Sequence, residues 1–370
     1  MRVMIDGRPL QGPTGRRGVG HYVRSLICGL SALDPLLEIV LLVDPREEAP
    51  LGPALADLTV AQAAAPPGPA LLWGRVLGPR WIAKAHPDVV HSTFLAPPRP
   101  PARTAWVATI HDLIALRHPG AFTWRQRLVF RRSLELASRA DEVIAVSRYT
   151  ADEIIRNFGT PGDRVHVVPP PVDVARFANP AQKGLAHLDR PYVLHLGGFD
   201  PLKGVCDLLI PAFARIAPRR PDLALVLSGG PSPGRRLAER AVREAGVDKQ
   251  VVFAGLLGDG EHCAAVAGAS AIVVASHEEG FGIPVVEALA AGVPVAIGPA
   301  WATREIAPEL TFLSATPTIA GLEHALEEAL RAPGPGAAEG EKRRQFARRF
   351  DQVNVARQVL AVYERSLRRA

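Results

Sequence analysis

Short apolar runs recur along the chain and are separated by loops and by segments with helical spacing. Each run is too short for a stable helix and is bounded by polar or turn residues, which is typical of buried strands in a parallel sheet. The first half contains such runs at 2–6, 37–43, 88–92, 106–111, 141–146 and 165–168, and the second half at 192–197, 223–230, 251–256, 270–276 and 293–298.

Helical periodicity is found between these runs. Within 19–30 the apolar residues recur at intervals of three and four positions, as they do on one face of an α-helix. Ser147 precedes a second periodic segment, and its hydroxyl is suited to cap a helix N-terminus. Predicted helices cover 19–30, 124–139, 148–159, 202–216, 284–292, 318–332, 341–350 and 352–369.

A proline-rich segment, PPPVDVARFANPAQKGLAHLDR at 169–190, interrupts this alternation. We interpret part of it as a linker between two series of strands and helices. The sequence therefore predicts an N-terminal domain at 1–178, a linker at 179–190 and a C-terminal domain at 191–350. A final helix at 351–370 is expected to pack back towards the N-terminal domain.

Alternating strands and helices predict an α/β fold with two doubly wound, Rossmann-like parallel sheets. In open sheets of this kind, ligands bind outside the carboxyl ends of the strands. With two such domains facing each other, we expect the functional site to lie in the cleft between them. A fold of this class does not by itself specify a function.

The composition agrees with a two-domain globular protein. The 370 residues are 48% hydrophobic and 22% charged, which is typical of globular chains. The three cysteines are widely spaced, which argues against a disulfide framework and favours a reducing compartment. No signal peptide is recognised, and no uncharged apolar stretch reaches about 18 residues, so we expect a cytoplasmic protein.

Charge is distributed unevenly along the chain. The whole net charge of +6 falls within residues 1–187, and the charges of 188–370 balance. This asymmetry favours an anionic partner for the N-terminal half, while arginines dispersed over a solvated surface explain it equally well. A basic, aromatic segment at 122–139 is typical of a helix that docks on an anionic membrane, or of an ordinary solvent-exposed helix. No nucleic-acid-binding module is recognised.

Two glutamates flank a glycine turn and the start of a helix in EEGFGIPVVEALAAGVPV at 278–295. Glu279 precedes the turn, and Glu287 lies about one turn into the helix. Backbone N–H groups at such a helix N-terminus suit an anion such as a diphosphate, while the carboxylates suit neutral hydroxyls of a sugar or ribose. Two solvated glutamates on a surface loop would give the same pattern.

This stretch closely resembles the E-x7-E signature of the family 4 retaining glycosyltransferases, which have the GT-B fold of two Rossmann-like domains. The resemblance extends in order over nearly the whole chain, through MIDGRPL, GVGHYVRSL, VVHSTFLAPP, VATIHDL, DEVIAVSRYTADEI, VLHLGGFDPLKGV and VVFAGLLGD. It implies an enzyme that moves a hexose from a nucleoside-diphosphate sugar, such as GDP-mannose or a UDP-sugar. The acceptor would be a hydroxyl of a glycan, a lipid-linked glycan or a secondary metabolite.

The resemblance implies roles for the residues of this stretch. Glu279 would act in catalysis by binding hydroxyls of the donor sugar, and Glu287 would bind the ribose of the nucleotide. The turn would present its backbone amides to the sugar and the diphosphate; it consists of Gly280, Phe281 and Gly282. The implied reaction is a same-face displacement with retention, in which the leaving diphosphate helps to deprotonate the acceptor.

Other site residues follow from the same resemblance. Lys203 would neutralise the diphosphate, whose negative charge grows in the transition state. His111 would also be catalytic, through a hydrogen bond to a sugar hydroxyl or a transition-state oxygen. Gly18 and Gly20 would let the first loop close over the phosphates, and Gly198 would line the donor site. The alternatives are a solvated lysine, a buried core histidine and plain turns.

The chain departs from the family pattern where Gly198 and Leu202 replace an arginine near Lys203. Arg16 and Arg17 are candidates for the missing cation. The departure keeps two other functions open: a nucleotide-sugar-binding subunit without catalysis, and a sugar-nucleotide epimerase on the same fold.

Neither a metal ion nor a cofactor is expected. The chain has no Asp-x-Asp pair, and Lys203 with helix amides can provide the electrostatic stabilisation that a metal provides elsewhere. The expected partners are a nucleotide sugar, which is a substrate, and a glycan or lipid-linked acceptor. Peripheral contact of the basic N-terminal domain with the inner membrane face is also expected, and nucleic acid is not.

Overall fold

The chain divides into two compact units. The computed structural model describes residues 1–11, 18–43, 61–64, 78–94, 100–181, 185 and 188–369. Unit 1 comprises Met1–Val172 together with Phe350–Ala370, and unit 2 comprises Asp173–Arg349. The first boundary therefore follows Val172, whereas the sequence analysis places it at 178. The predicted linker at 179–190 lies partly outside the described residues and stays a prediction.

Seven parallel strands in the described part of unit 1 form its sheet. They are β1 (Arg2–Asp6), β2 (Glu38–Val43), β3 (Ala61–Ala64), β4 (Val89–Ser92), β5 (Ala105–Ile110), β6 (Glu142–Ala145) and β7 (Val165–Val167). Their order across the sheet is β3-β2-β1-β4-β5-β6-β7. The order reverses between β1 and β4, as in a doubly wound fold.

The helices of unit 1 that precede the boundary connect these strands. They are α1 (Gly18–Leu33), α2 (Gly78–Ala85), α3 (Ile114–Arg117), α4 (Trp124–Ala137) and α5 (Arg148–Phe158), with 3-10 turns at Arg8–Leu10, Pro119–Ala121 and Gly162–Arg164. The predicted cap of α5 is confirmed, since Ser147 Oγ accepts a hydrogen bond from the backbone N–H of Thr150 over 3.0 Å.

Unit 2 repeats the same plan with a sheet of six parallel strands among its described residues. They are β8 (Tyr192–His195), β9 (Ala224–Ser228), β10 (Val251–Gly255), β11 (Ala271–Val274), β12 (Val295–Ile297) and β13 (Phe312–Leu313). The order is β10-β9-β8-β11-β12-β13 and reverses between β8 and β11. Both sheets are parallel and flanked by helices, as predicted.

Eight α-helices lie in the described part of unit 2, and a last one returns to unit 1. They are α6 (Val174–Ala178), α7 (Ile210–Ile216), α8 (Pro233–Glu244), α9 (Asp259–Gly268), α10 (Ile283–Ala291), α11 (Trp301–Arg304), α12 (Ile319–Arg331), α13 (Ala338–Ala347) and α14 (Gln352–Arg369). Additional 3-10 turns lie at Pro201–Lys203, Ala217–Arg219 and Arg348–Phe350. No helix in the described ranges is both long and apolar enough to cross a bilayer.

The prediction of one continuous helix at 202–216 is wrong. The segment begins with a 3-10 turn, passes through a left-handed residue at Gly204, and continues as a π-helix, Val205–Leu209, before α7. A residue with φ of +65° ends a right-handed helix, so the apolar periodicity on either side of Gly204 belongs to separate elements.

Both faces of the unit 1 sheet are buried. Val3 and Ile5 of β1 pack on one face with α1 and α14, while Met4 packs on the other face with Ile82 of α2. Successive residues of a strand point to opposite faces, so a strand buried on both sides is apolar at most of its positions. This arrangement accounts for the continuous apolar runs in the sequence.

Candidate functional site

The candidate residues of unit 2 follow the two strands at which its sheet order reverses. Lys203 lies in the 3-10 turn after β8, and Glu279 lies in the loop after β11. Ligands bind at this point in open parallel sheets, because the loops of the neighbouring strands diverge outside their carboxyl ends. The sheet thereby joins two residues that are 76 positions apart in the sequence.

Lys203 and Glu279 form an ion pair. Lys203 Nζ donates to Glu279 Oε1 over 2.6 Å, and the two side chains are 27% and 17% exposed. Ser276 Oγ donates to the same oxygen over 2.7 Å. An ammonium has three N–H donors, so Lys203 keeps two for a ligand while it holds Glu279. The loops thus present a cation and a carboxylate side by side.

Further contacts fasten the Lys203 turn to the Glu279 loop. The backbone N–H of His277 donates to the carbonyl of Leu202 over 2.8 Å. His277 Nε2 also lies 2.6 Å from Asp207 Oδ2 in the π-helix. Such π-helical turns are frequent at functional sites. The two loops are therefore held together by main-chain and side-chain bonds, independently of the ion pair.

The glycine turn leads directly into α10. Gly282 precedes the helix at a φ of +112°, and a Cβ there would lie 2.5 Å from Thr303 Cγ2, so only glycine fits. Phe281 is buried. The helix ends at Gly292, as predicted. The first N–H groups of an α-helix lack intrahelical acceptors, which is the property that suits an anion.

Glu287 pairs with a histidine that the sequence analysis does not identify. His262 Nε2 lies 2.9 Å from Glu287 Oε2, and the ring of Phe177 stands edge-on to the imidazole with centroids 5.7 Å apart. Burial opposes protonation of His262, but the charge and hydrogen bond of Glu287 outweigh it and raise the pKa of His262 above its ordinary value. His262 therefore sets the orientation of the Glu287 carboxylate.

The other predicted glycines are placed in two different units. Gly198 follows β8 in unit 2, and its N–H donates to a backbone carbonyl at the end of β9 over 3.2 Å. Gly18 and Gly20 open α1 in unit 1, where the first is exposed and the second is buried. Arg16 and Arg17, the candidates for the missing cation, lie outside the described residues.

His111 lies at the carboxyl end of β5 in unit 1. Its Nε2 donates to the carbonyl of Thr93 over 2.9 Å, since a carbonyl can only accept. Tyr22 of α1 stands edge-on to the imidazole with ring centroids 4.8 Å apart. Burial lowers the pKa of His111 to about 4. The ring is therefore neutral at pH 7, and its Nδ1 is an acceptor for a hydroxyl.

Metal-ligating groups are dispersed in the described part of the chain. No three His, Cys, Asp or Glu side chains in those ranges come together in a way that could hold a metal ion. All three cysteines are free thiols.

Two family models match the chain in succession. Residues 16–176 match the model described as Glycosyltransferase Family 4, and residues 177–351 match the model described as Glycosyl transferases group 1. The chain belongs to glycosyltransferase family 4. Both members of the ion pair, Lys203 and Glu279, lie in the part matched by the second model.

Three curated relatives of this chain are named as glycosyltransferases. The MMP alpha-(1->4)-mannosyltransferase of Mycolicibacterium hassiacum is 31% identical over 71% of this chain and 66% of its own length. The D-inositol 3-phosphate glycosyltransferase of Actinosynnema mirum is 32% identical, over 57% and 55% of the two chains. The GDP-mannose-dependent alpha-(1-6)-phosphatidylinositol monomannoside mannosyltransferase of Mycolicibacterium smegmatis is 34% identical, over 50% and 52%. The chain therefore spans about half to two thirds of these relatives.

Solved structures share the fold of this family 4 chain over nearly its whole length. HepE of Anabaena, in complex with UDP-glucose, has a TM-score of 0.73 and 18% identity and covers 98% of both chains. The sucrose-phosphate synthase of Thermosynechococcus elongatus has a TM-score of 0.72 and 22% identity, covering 100% of this chain and 99% of its own. The predicted α/β GT-B fold is confirmed.

The family resemblance predicts Lys203 and Glu279 as candidates but does not predict the residues that hold them. Ser276 lies three residues before Glu279 at the end of a strand, a position from which a hydroxyl can turn back towards the loop. That spacing could have been recognised. His262 is 25 residues from Glu287, and nothing in the helical pattern of α9 distinguishes it.

Three histidines with lowered pKa values make the stability of this chain dependent on pH. Burial lowers the pKa of His91 to about 3 and those of His111 and His195 to about 4. The unfolded chain, with ordinary histidine pKa values of about 6.5, binds protons that the folded chain does not. Their contribution to stability is therefore complete above pH ~6.5 and is lost as the pH falls towards 4. The pKa of His262 is raised, so its contribution to stability is present at low pH and is lost as the pH rises.

We expect a lower melting temperature at pH 5 than at pH 7, at constant ionic strength. Differential scanning fluorimetry across this range measures it. A melting temperature that stays constant or rises as the pH falls would contradict the burial of these imidazoles in the neutral form.

Proposed function

We propose that this chain is a retaining glycosyltransferase that moves a hexose from a nucleoside-diphosphate sugar to an acceptor hydroxyl without a metal ion. The observation that carries the proposal is the Lys203–Glu279 ion pair at the reversal point of the unit 2 sheet. A nucleotide sugar has an anionic diphosphate directly beside neutral sugar hydroxyls. The ion pair offers a cation for the diphosphate and a carboxylate acceptor for the sugar hydroxyls.

In the proposed complex the ion pair is kept. Glu279 Oε1 already accepts from Lys203 and Ser276, so Oε2 is the oxygen that accepts a hydrogen bond from a sugar hydroxyl. The two remaining N–H donors of Lys203 bind the diphosphate. The amides that open α10 bind it as well. Glu287, oriented by His262, accepts hydrogen bonds from the ribose.

The proposed reaction breaks the bond between the anomeric carbon and the diphosphate oxygen. The acceptor oxygen forms its bond to the same carbon on the same face, and its proton passes to the departing diphosphate. Lys203 stabilises the charge that develops on the leaving group. A neutral His111, whose Nδ1 is an acceptor, holds a hydroxyl and does not act as a cation.

The proposed donor is a GDP- or UDP-hexose. A mannosyltransferase dependent on GDP-mannose is among the relatives, and a structure with the same fold was solved with UDP-glucose. A thermal-shift screen of UDP-, GDP- and dTDP-hexoses tests donor binding, because a ligand that binds only the folded chain raises its melting temperature by mass action. Failure of every nucleotide sugar to stabilise the chain would contradict a donor site.

Glu287→Ala is expected to weaken binding of the stabilising donor by about tenfold or more, because it removes charge-assisted hydrogen bonds to the ribose. Isothermal titration with the same donor measures the change. Glu244→Ala, on the exposed surface of α8, is the matched control and should bind normally. An affinity of Glu287→Ala equal to that of the control would refute the ribose assignment.

We further propose that unit 1 contacts an anionic membrane through α4, which would suit a lipid-linked acceptor. Trp124, Leu128 and Val129 are all more than two fifths exposed on this helix, and arginines lie among them. The helix is well formed, with a capping box between Thr123 and Gln126. Aromatic, aliphatic and basic residues exposed on one helix are suited to binding at the interface of an anionic bilayer.

Arg127→Glu is expected to weaken the affinity for phosphatidylglycerol-containing vesicles, measured by sedimentation, by about 30-fold, since each basic residue near an anionic surface contributes ~1 kcal/mol and the substitution reverses the charge. Arg240→Glu is the control, because it makes the same charge reversal at an exposed position on α8 of unit 2. Equal binding of the two variants, or binding that does not weaken at high salt, would contradict the role of α4.

A further inference from the structure

Four polar side chains meet in the interior of unit 1. They come from four different elements and are all buried: Tyr22 from α1, His91 from β4, Thr109 from β5 and Tyr363 from α14. Burying large polar groups destabilises the fold unless they form hydrogen bonds with one another. Apolar residues of similar size would fill the same space without this requirement. We call this group the interior network.

Hydrogen bonds connect all members of the interior network. His91 Nδ1 lies 2.7 Å from Tyr363 Oη, and His91 Nε2 lies 2.8 Å from Thr109 Oγ1. Tyr22 Oη lies 3.0 Å from the same threonine oxygen. Burial lowers the pKa of His91 to about 3 and raises the pKa values of both tyrosines, so every member is neutral at pH 7. The network is a neutral chain of hydrogen bonds.

The interior network contacts one candidate of unit 1, His111, and includes a residue of the helix that the other candidates, Gly18 and Gly20, open. Thr109 lies on β5, and His111 follows two residues later. Side chains alternate between the two faces of a strand, so residues two apart lie on the same face. The ring of Tyr22 stands at 87° to the His111 imidazole with centroids 4.8 Å apart. Tyr22 also lies in α1 two residues after Gly20, at the start of the same helix. A displacement of Tyr22 or Thr109 would therefore move His111 or the glycine-bearing end of α1.

The last helix completes the interior network. Tyr363 is 272 residues from its partner His91, and the whole of unit 2 lies between them in the sequence. The chain returns to unit 1 at Phe350, whose carbonyl accepts a hydrogen bond from the N–H of Val172 over 2.8 Å. Helix α14 then packs on α1 so closely that a Cβ on Gly29 would lie 2.1 Å from the carbonyl oxygen of Gln352. Tyr363 is thereby held in one place.

We propose that Tyr363 is a positioning residue for the transfer reaction: through His91, Thr109 and Tyr22 it holds the His111 imidazole and the start of α1 in the geometry that turnover requires. The inference rests on the proposed function, because His111 and the glycines of α1 matter only if this unit takes part in sugar transfer. It assigns to the C-terminal helix a part in catalysis in addition to its packing. A displacement of a positioned group by ~1 Å can reduce turnover by up to about a hundredfold.

Tyr363→Phe removes one hydroxyl and keeps the ring. We expect kcat to fall about tenfold while the KM for the donor changes by less than about twofold, as for a group that acts on the reacting geometry. Tyr192→Phe is the matched control: its buried hydroxyl donates to the carbonyl of Ala265 over 2.7 Å in unit 2, outside the interior network. It should lose similar stability and keep its kcat. Equal values of kcat in the two variants would overturn the proposal.

The central hydroxyl of the network is tested separately. Thr109→Val keeps the shape of the side chain and removes the oxygen on which His91 and Tyr22 converge, whereas Thr109→Ser keeps the oxygen. We expect kcat to fall about tenfold in the valine variant and to stay within about threefold of the wild type in the serine variant. Loss of kcat in both variants to the same extent would show that packing, and not the hydroxyl, is what matters, and would overturn the proposal.

A spectroscopic measurement separates failure of this inference from failure of the proposed function. In spectra of histidine-labelled protein, the His111 ring signal, assigned by its loss in His111→Gln, should shift in Tyr363→Phe and not in Tyr192→Phe. This readout does not need a substrate. An unchanged His111 signal in Tyr363→Phe would refute the positioning role whatever the activity. A shifted His111 signal in Tyr363→Phe, together with no sugar transfer by the wild type, would instead refute the proposed function.

Discussion

Glu279→Gln is expected to lower the rate of sugar transfer by about 100-fold or more, the usual scale for losing one preorganised electrostatic group. Glutamine keeps the size of the side chain but not its charge, so the Lys203 ammonium loses the carboxylate that holds it at 2.6 Å. In glutamine, an NH2 donor replaces one of the two carboxylate oxygens of Glu279. One acceptor is therefore lost, either the one that Ser276 uses or the one proposed for a sugar hydroxyl.

Initial rates of nucleoside diphosphate release measure this effect. Glu239→Gln is the matched control, because Glu239 also pairs with a cation in unit 2, at 3.0 Å from Arg235 on α8. The control should keep normal turnover. Melting temperatures of both variants show whether the loss of turnover in Glu279→Gln exceeds any loss of stability. Normal turnover of Glu279→Gln would remove the ion pair from the mechanism.

Lys203→Ala is expected to reduce kcat by about 100-fold, with a smaller effect on donor affinity. The charge on the departing diphosphate is larger in the transition state than in the bound donor, so a cation beside it stabilises the transition state more than the ground state. Lys203→Ala also leaves Glu279 with only Ser276 as a donor on Oε1. Both consequences act on turnover.

Single-turnover and steady-state rates with the same donor separate chemistry from binding. Lys249→Ala, which removes an exposed lysine of unit 2, is the control and should be normal. A near-normal kcat for Lys203→Ala, or a loss confined to KM, would show that Lys203 binds the ground state only.

The sequence predicted most strands because each is a continuous apolar run buried on both faces, and such runs are short and bounded by turns. The strands β3 and β13 were not predicted. Ala61–Ala64 contains no β-branched or aromatic residue, and Phe312–Leu313 is two residues long, so neither has a detectable pattern. Their places at the sheet edges depend on tertiary pairing with β2 and β12.

The candidate site was predictable where chemistry is carried by residues close in sequence. The glycine turn, Glu279 and Glu287 lie on one loop and helix, where the spacing is compatible with a phosphate and hydroxyl site and the family resemblance favours it over two solvated glutamates. The spacing of Ser276 from Glu279 could have been recognised, but the partner of Glu287 could not, since His262 reaches it only through the packing of α9 beside α10. The same holds for Tyr363, which meets His91 across 272 residues.

The central claim is that this chain transfers a hexose from a nucleotide sugar by means of the Lys203–Glu279 pair. The most direct test is to incubate the purified chain with the stabilising nucleotide hexose and an acceptor in EDTA, and to follow nucleoside diphosphate release together with the anomeric configuration of the product by NMR. We predict release by the wild type, a product that retains the configuration of the donor, and loss of both in Glu279→Gln. A donor that binds without turnover, a product of inverted configuration, or a strict requirement for a metal ion would contradict the account.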